Sequence, residues 1–417
     1  TETFNIEELP PKIKELAFPF QKEGIKAAIE KYDGRCLLGD EMGLGKTVQA
    51  IAVAWHYKAL WPVAVFCPSF LKLNWKKEFC FWTSLVESDI TVIKNGKQSI
   101  PADAKVVIFS YGLIKPMLSS LKHKRFDVVI CDEAHYIKSK KAQRARAALE
   151  LLKKSKKVLL LTGTPSPNRP EELFTLLSAL RPCFAGSYTY FTTRYCDRKQ
   201  GFFGLDCTGS INKEELSFVL KKACMIRRLK DDVLKDLPTK MRSQVLVELS
   251  NKEMKPMVEP TQRLAIINKK IFTLKAGSEE ARLLDFERKA LINQLFCLND
   301  VAKSKVGCEV MMQTLQEVPK LVIFGYHMSI LDKLQEKLIA KQISYFRIDG
   351  STPLEARQRG VERFQDPSKD CRVALLSLGA ANSGLTLTAA SHMLFVSLHW
   401  VPSEVSNPYA CLLITRC

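Results

Sequence analysis

The chain has 417 residues, 46% of them hydrophobic, enough for two domains that each bury a core. Lysine and arginine total 63 against 44 acidic residues, and a net charge of +19 points to a polyanionic partner, nucleic acid first. No apolar run approaches the roughly 18–20 residues that span a bilayer, which argues against a membrane protein. Thr1–Glu8 lacks the pattern of a signal peptide, and the missing initiator Met reads as a fragment or processed form. The 13 cysteines include no C-x-x-C pair, and Cys183, Cys196, Cys207 and Cys224 lack the spacing or the histidine of a metal site. The chain therefore reads as reduced and intracellular.

In chain order, the first strong signal is an apolar run, Cys36-Leu37-Leu38, followed by Gly39-Asp40-Glu41-Met42-Gly43-Leu44-Gly45-Lys46-Thr47 and a helical pattern from Val48 to His56. Strand, glycine-rich turn and helix N-terminus form the geometry that cradles phosphates with backbone N–H groups and the positive end of a helix. Lys46 is then expected at the β- and γ-phosphates and the Thr47 hydroxyl on Mg²⁺. Asp40 stands where the first glycine of the usual loop belongs. Apolar runs at Val63–Cys67 and Val106–Ser110 read as further strands. Val128–Cys131 is another, and it ends in Asp132-Glu133-Ala134-His135. A carboxylate at the C-terminal end of a parallel strand lies where ligands of open α/β sheets collect. Asp132 is expected to hold Mg²⁺ and Glu133 to orient and deprotonate a water. The plainer reading is an exposed acidic turn. Val158–Leu161 runs into Thr162-Gly163-Thr164-Pro165, a turn suited to sensing the γ-phosphate, or else an ordinary loop exit.

Residues 166–316 change character: they are charged and mainly helical in pattern, with loop signals at Arg181-Pro182, Gly201–Gly204 and Leu237-Pro238. Alternation then resumes with Leu321–Phe324, a helix through Leu338, Tyr345–Ile348, a helix from Pro353, Val373–Ser377 and Met393–Val396. The predicted architecture is α/β: two lobes with parallel sheets, joined by a helical, basic connector. The expected boundaries are 1–235 for an ATP-binding lobe with a helical protrusion, 236–316 for the connector and 317–417 for the second lobe. The run Lys153-Lys154-Ser155-Lys156-Lys157 is either a DNA or nuclear-import patch or a solvated helix end.

Together these residues resemble the SNF2 family of superfamily 2 helicase-like ATPases, whose phosphate loop takes the form Asp-Glu-Met-Gly-Leu-Gly-Lys-Thr. Other segments fall in order. Pro19–Gly24 looks like the adenine-reading segment, with Gln21 on the base. Cys67-Pro68-Ser69 with Asn74, Trp75, Glu78 and Phe79 resembles the first DNA-contacting segment. Ser110-Tyr111, Asp132–His135 with Lys138, and Thr162–Pro165 follow. Met225–Lys230 resembles the inter-lobe arginine segment, and Arg347–Thr352 and Ala380–Thr386 the strand-tracking and nucleotide-coupling motifs.

The resemblance covers about residues 15–403. It implies two RecA-like lobes and ATP with Mg²⁺ as cofactors. Gln21, Asp40, Glu41, Met42, Gly43, Leu44, Gly45, Lys46, Thr47 and Gly384 are then implied at the nucleotide, and Lys46, Asp132 and Glu133 in catalysis. Thr47 and Asp132 would hold the metal. Coupling or DNA contact falls to Trp75, His135, Thr162, Gly163, Thr164, Arg227, Arg228, Asp349, Gly350 and Ser351. Trp75 has a core position as its plainer reading.

The short connector and the Ala380–Thr386 form look like the fork-remodelling branch, and Ala389–His392 with Phe395, and Pro170–Phe174, lean towards its zinc-finger-bearing annealing helicases. The resemblance implies an ATP-dependent translocase, nuclear, that anneals or remodels branched DNA with little regard to sequence. Partners such as a sliding clamp or a single-strand-binding protein would be met through regions outside this chain, and no membrane is implied.

One departure stands out. After Leu398–Pro402 the family continues with a segment carrying two arginines that reach the γ-phosphate. Here Cys411 and Ile414 occupy those positions, and Arg416 is out of register. An arginine finger is worth around 10³–10⁵ in rate in related systems. The second lobe is thus expected to be incomplete, with an atypical tail from about residue 403. The competing functions are a nucleosome remodeller of the same family, an Asp-Glu-Ala-His RNA helicase, and a truncated ATP- and DNA-binding module without turnover.

Overall fold

The computed structural model describes residues 3–139, 142–163, 165, 170–181, 186–201, 204–233, 243, 245, 250–274, 278–381, 385 and 387–397. The chain folds as two compact units, Thr1–Asp236 and Leu237–Cys417. The helices expected as a connector belong to the second unit.

The strands of the first unit are β1 (Arg35–Leu38), β2 (Val63–Cys67), β3 (Ile90–Val92), β4 (Val106–Ser110), β5 (Val128–Cys131), β6 (Lys157–Leu161), β7 (Lys199–Gly201), β8 (Gly204–Asp206) and β9 (Met225–Ile226). Seven of them form one sheet in the order β3-β4-β2-β5-β6-β1-β9, and every neighbouring pair is parallel. β2, β4, β5 and β6 are buried along their whole length. Continuous apolar runs are what a sheet covered on both faces requires. Side chains alternate between two cores: Leu37, Phe66, Phe109 and Leu160 on one face, Cys36, Leu38, Val65, Ile108 and Leu161 on the other.

Arg35 secures one edge. Its guanidinium donates to Leu152 O and Ser155 O at the end of the helix Gln143–Lys154. It also donates to Ala179 O and Leu180 O at the end of the helix Pro170–Leu180. Terminal carbonyls of two helices thereby find donors they would otherwise lack.

Met225–Ile226 forms a seventh strand that the sequence pattern did not reveal, because two residues carry no periodicity; pairing with Leu37 and Leu38 defines it. Gly201 and Gly204, expected in a loop, pair with each other across the antiparallel strands β7 and β8. The lysine run ends a helix at Lys154. Beyond it Lys156 pairs with Asp127 at 3.0 Å and Lys157 with Asp33 at 2.6 Å, the latter stacked over Tyr57.

In the second unit, β10 (Leu321–Gly325), β11 (Tyr345–Ile348), β12 (Val373–Ser377) and β13 (His392–Phe395) form a parallel sheet in the order β11-β12-β10-β13. The helix Met328–Ala340 covers one face with Leu331, Leu334 and Leu338. The helix Glu279–Glu317 runs 39 residues; its last turns bring Met311 and Leu315 into that same core, and Arg263–Glu287 ties its start to the helix Asn251–Thr273 at 2.5 Å.

Candidate nucleotide and metal site

β1 stops at Leu38, and residues 39–45 turn into the helix Lys46–His56. The helix forms because Val48 and Ala50–Ala54 bury an apolar surface against the sheet, and Gly45 starts it. Gly43 and Gly45 have φ of +86° and +72°, the left-handed region that glycine alone enters freely. A Cβ on Gly45 would lie 2.3 Å from Gln21 Nε2. Leu44 is buried and anchors the loop, while Glu41, Met42, Gly43 and Thr47 stay half-buried along its mouth. Lys46 Nζ donates to Asp40 O at 3.0 Å and Glu41 O at 3.3 Å. Burial lowers its pKa, and the nearby Glu133, Asp132 and Asp40 carboxylates act against that shift.

Strand order explains why these groups meet. β6 lies between β1 and β5, so the loop after β1, Thr162-Gly163 after β6 and Asp132-Glu133 after β5 emerge side by side. Gly163 is required by its neighbour: a Cβ there would sit 2.3 Å from Met42 Cγ. Thr162 is buried and continues the ladder, donating its N–H to Leu38 O at 3.1 Å.

Asp132 is held from three directions. Trp75 Nε1 donates to Oδ2 at 2.9 Å, the Glu133 N–H donates to Oδ1 at 2.9 Å, and the Tyr111 hydroxyl donates to the Asp132 carbonyl at 2.6 Å. Tyr111 stacks on Tyr136, with ring centroids 5.4 Å apart. Burial, then the Glu133 charge, pushes the Asp132 carboxyl up to about 6. Glu133 itself has φ of +50°, a strained value for a side-chain-bearing residue at a site where function concentrates. His135 Nδ1 lies 3.2 Å from Glu133 Oε2, an ion pair when the imidazole is protonated.

The residues fit Mg²⁺. Such sites take one or two carboxylates and complete the shell with water and substrate phosphates. The mutual repulsion of Asp132 and Glu133 is what a divalent cation relieves.

Three expectations are corrected. Asp40, expected to touch nucleotide, is fully buried and saturated within the protein. Its Oδ1 accepts from Arg228 N and Nε, each at 3.0 Å; its Oδ2 accepts from Arg228 Nη2 at 2.5 Å and Gln49 Nε2 at 3.0 Å. Arg228, expected in coupling or DNA contact, is spent on that contact, on Gln49 Oε1 at 2.7 Å and on the Phe20 carbonyl, and its guanidinium lies over the Phe20 ring. Trp75 is 1% exposed, so its ring offers no face for stacking on a base.

Gln21, expected on adenine, donates to Leu44 O at 3.1 Å and accepts the Phe18 N–H at 3.0 Å. In this structure it braces the phosphate loop. Arg227 does likewise, donating to Gly39 O and Gly163 O at 2.5 and 3.1 Å. The pairing of β1 with β9 continues beyond both strands: Glu41 N donates to Arg228 O at 3.0 Å, and Lys230 N to Glu41 Oε2 at 2.8 Å. Gln49, unremarked in the sequence, had one signal: a lone amide inside the apolar run Val48–Ala54 that is fully buried.

In the second unit, Asp349 follows β11 and is 6% exposed. Its carboxylate accepts from Ser351 N at 2.9 Å, Ser351 Oγ at 2.6 Å, Thr352 Oγ1 at 3.2 Å and Arg347 Nε at 2.9 Å. The Ser351 hydroxyl leads the causes that hold its pKa below the usual carboxylate range. Asp349 therefore organises the turn, and Gly350 and Ser351 are the exposed part. Thr164, Gly384 and the tail from residue 398 lie outside the described residues.

A phosphate loop and a strand-terminal Asp-Glu pair on one parallel sheet, followed by a second parallel α/β unit, define a two-part P-loop ATPase core. The SNF2-related domain matches residues 20–305 and the helicase conserved C-terminal domain residues 302–407; the chain belongs to the SNF2-related family. It is 38% identical to the DNA annealing helicase and endonuclease ZRANB3 of Bos taurus, over 96% of this chain and 37% of that protein. It is 39% identical to the SWI/SNF-related matrix-associated actin-dependent regulator of chromatin subfamily A-like protein 1 of Xenopus laevis, over 92% of this chain and 39% of that one. The chain thus spans well under half the length of these curated relatives. Among solved structures, the Sulfolobus solfataricus SWI2/SNF2 ATPase core in complex with dsDNA aligns with a TM-score of 0.49 and 21% identity, covering 98% of this chain and 86% of that one.

Proposed function

We propose that this chain is the motor of a nuclear, DNA-dependent ATPase that translocates on DNA and anneals or remodels branched structures at stalled forks. The observation that carries the reading is the Asp132–Glu133 pair set beside the phosphate loop by β6. The similarity to a DNA annealing helicase supports branched DNA over a nucleosome as substrate.

Lys46, Thr47 and Asp132 would hold ATP and Mg²⁺. When bound, the metal would neutralise phosphate charge and orient the terminal phosphoryl group. Lys46 Nζ exchanges its present carbonyl contacts for phosphate oxygens, at no cost in buried unpaired charge. Glu133 takes the proton of the attacking water, and His135 Nδ1 lies 3.2 Å from its carboxylate. Phosphate contacts from a chain of net charge +19 make DNA binding sequence-tolerant and steeply salt-dependent. A sliding clamp or a single-strand-binding protein would be met through other parts of a longer protein.

The test is ATP hydrolysis with and without forked DNA, with Glu133→Gln as the blank. Hydrolysis stimulated by the fork well above the blank is the expected result. Binding of ATP and DNA without stimulated hydrolysis overturns the motor reading and leaves a binding module, the alternative raised by the residues at positions 411 and 414.

A further inference from the structure

The residue that links the helix Lys72–Trp82 to the acidic pair is Trp75. Its indole is buried against Phe79, with centroids 6.0 Å apart, and belongs to the core that also holds Val65, Ile108 and Ile130. Packing fixes the ring, and its N–H points at Asp132 Oδ2. An indole N–H donates and never accepts, and it does not titrate, so it selects one orientation of the carboxylate at every working pH. With the Glu133 N–H on Oδ1, both oxygens are oriented and each keeps a lone pair for a cation.

We propose that Trp75 is a positioning residue whose indole N–H sets Asp132 for metal–nucleotide binding. The proposal rests on the reading of Asp132 as the Mg²⁺ ligand. Groups that orient a metal ligand from behind change metal affinity by roughly 10–100-fold when removed. The same helix supplies its own control: Trp82 Nε1 donates to Glu78 Oε2 at 2.8 Å, away from Asp132.

The experiment measures binding of a fluorescent ADP analogue during Mg²⁺ titration, without turnover, for the wild-type chain, Trp75→Phe, Trp82→Phe and Asp132→Asn. Trp75→Phe keeps the ring and loses only the N–H. It is expected to raise the Mg²⁺ needed for half-saturation roughly tenfold, leave binding in EDTA unchanged, and raise the Mg²⁺ needed for half-maximal hydrolysis by a similar factor. Trp82→Phe follows wild type. Equal Mg²⁺ dependence in Trp75→Phe and wild type overturns the proposal. If Asp132→Asn also leaves the Mg²⁺ dependence intact, the metal-site reading itself fails, which separates the two.

A measurement independent of the folding of Trp75→Phe uses the chain labelled with 5-fluorotryptophan. The ¹⁹F resonance altered by Asp132→Asn is expected to move when Mg²⁺ joins the bound ADP analogue in the wild-type chain. A resonance that stays in place overturns the proposal.

Discussion

Asp132 and Asp349 each follow a parallel strand, yet they are opposite kinds of carboxylate. Asp349 receives four donor contacts from Arg347, Ser351 and Thr352, and its pKa is held below the usual carboxylate range. Asp132 receives two on its carboxylate, shares its surroundings with Glu133 and is pushed up to about 6. The first has used its charge to shape a loop; the second keeps capacity for a cation. Position at the end of a strand does not decide the role of a carboxylate. The supply of donors does.

The largest effect expected is on turnover. Glu133→Gln should lower fork-stimulated hydrolysis by about 10²–10⁴, the usual contribution of a general base, while thermal unfolding stays close to wild type. A loss of stability matching the loss of rate would place Glu133 with Asp349 among the structural carboxylates.

Asp40 is the extreme of the Asp349 kind. Arg228→Ala strands its buried charge and should cost about 3–5 kcal/mol of unfolding free energy, measured by urea denaturation of the chain. A cost near zero would mean that Gln49 alone satisfies Asp40.

Asp349→Ala frees four donors at a partly solvated turn and should cost about 1–3 kcal/mol. It should leave Mg²⁺-dependent nucleotide binding unchanged, whereas Asp132→Asn should abolish that dependence with no loss of stability. If both variants lose metal dependence, the contrast collapses.

The two carboxylates should also respond to pH with opposite sign. The folded-state pKa of Asp132 lies above its unfolded value, so its ionised form is penalised and stability in the absence of metal rises as pH falls through about 6 towards 4. Asp132→Asn should therefore be more stable than wild type at pH 7.5, with the gap shrinking by pH 5. Mg²⁺ affinity should weaken over the same interval. The folded-state pKa of Asp349 is depressed, so its contribution is present above about 4, the ordinary carboxylate value, and disappears as pH falls through the lowered one. Denaturation curves at several pH values read both.

The smallest effect belongs to Gly350. A Cβ there meets nothing within 4 Å, so Gly350→Ala should change stability by under about 0.5 kcal/mol. Any defect it shows would then lie in ligand binding.

Much of the fold was legible in the sequence because parallel strands buried on both faces are written as unbroken apolar runs. Val63–Cys67, Val106–Ser110 and Val128–Cys131 coincide with β2, β4 and β5. Lys46 and the Asp-Glu pair were legible for a related reason, since a phosphate cradle needs particular residues at fixed local spacing. β9 was not, because two residues carry no period.

The sequence alone determined two α/β regions, a phosphate loop and the acidic pair that faces it, all products of short-range pattern. Only the tertiary structure decided which polar groups are spent on one another. Asp40 and Arg228 are 188 positions apart, and Trp75 and Asp132 are 57 apart. A hydrogen bond saturates when its donors and acceptors meet, and no local spacing records that meeting. For that reason Asp40 looked like a ligand contact, and Trp75 like either a DNA or coupling contact or a plain core residue. Folded, one locks the phosphate loop to the segment after β9, and the other orients the carboxylate left free for a metal.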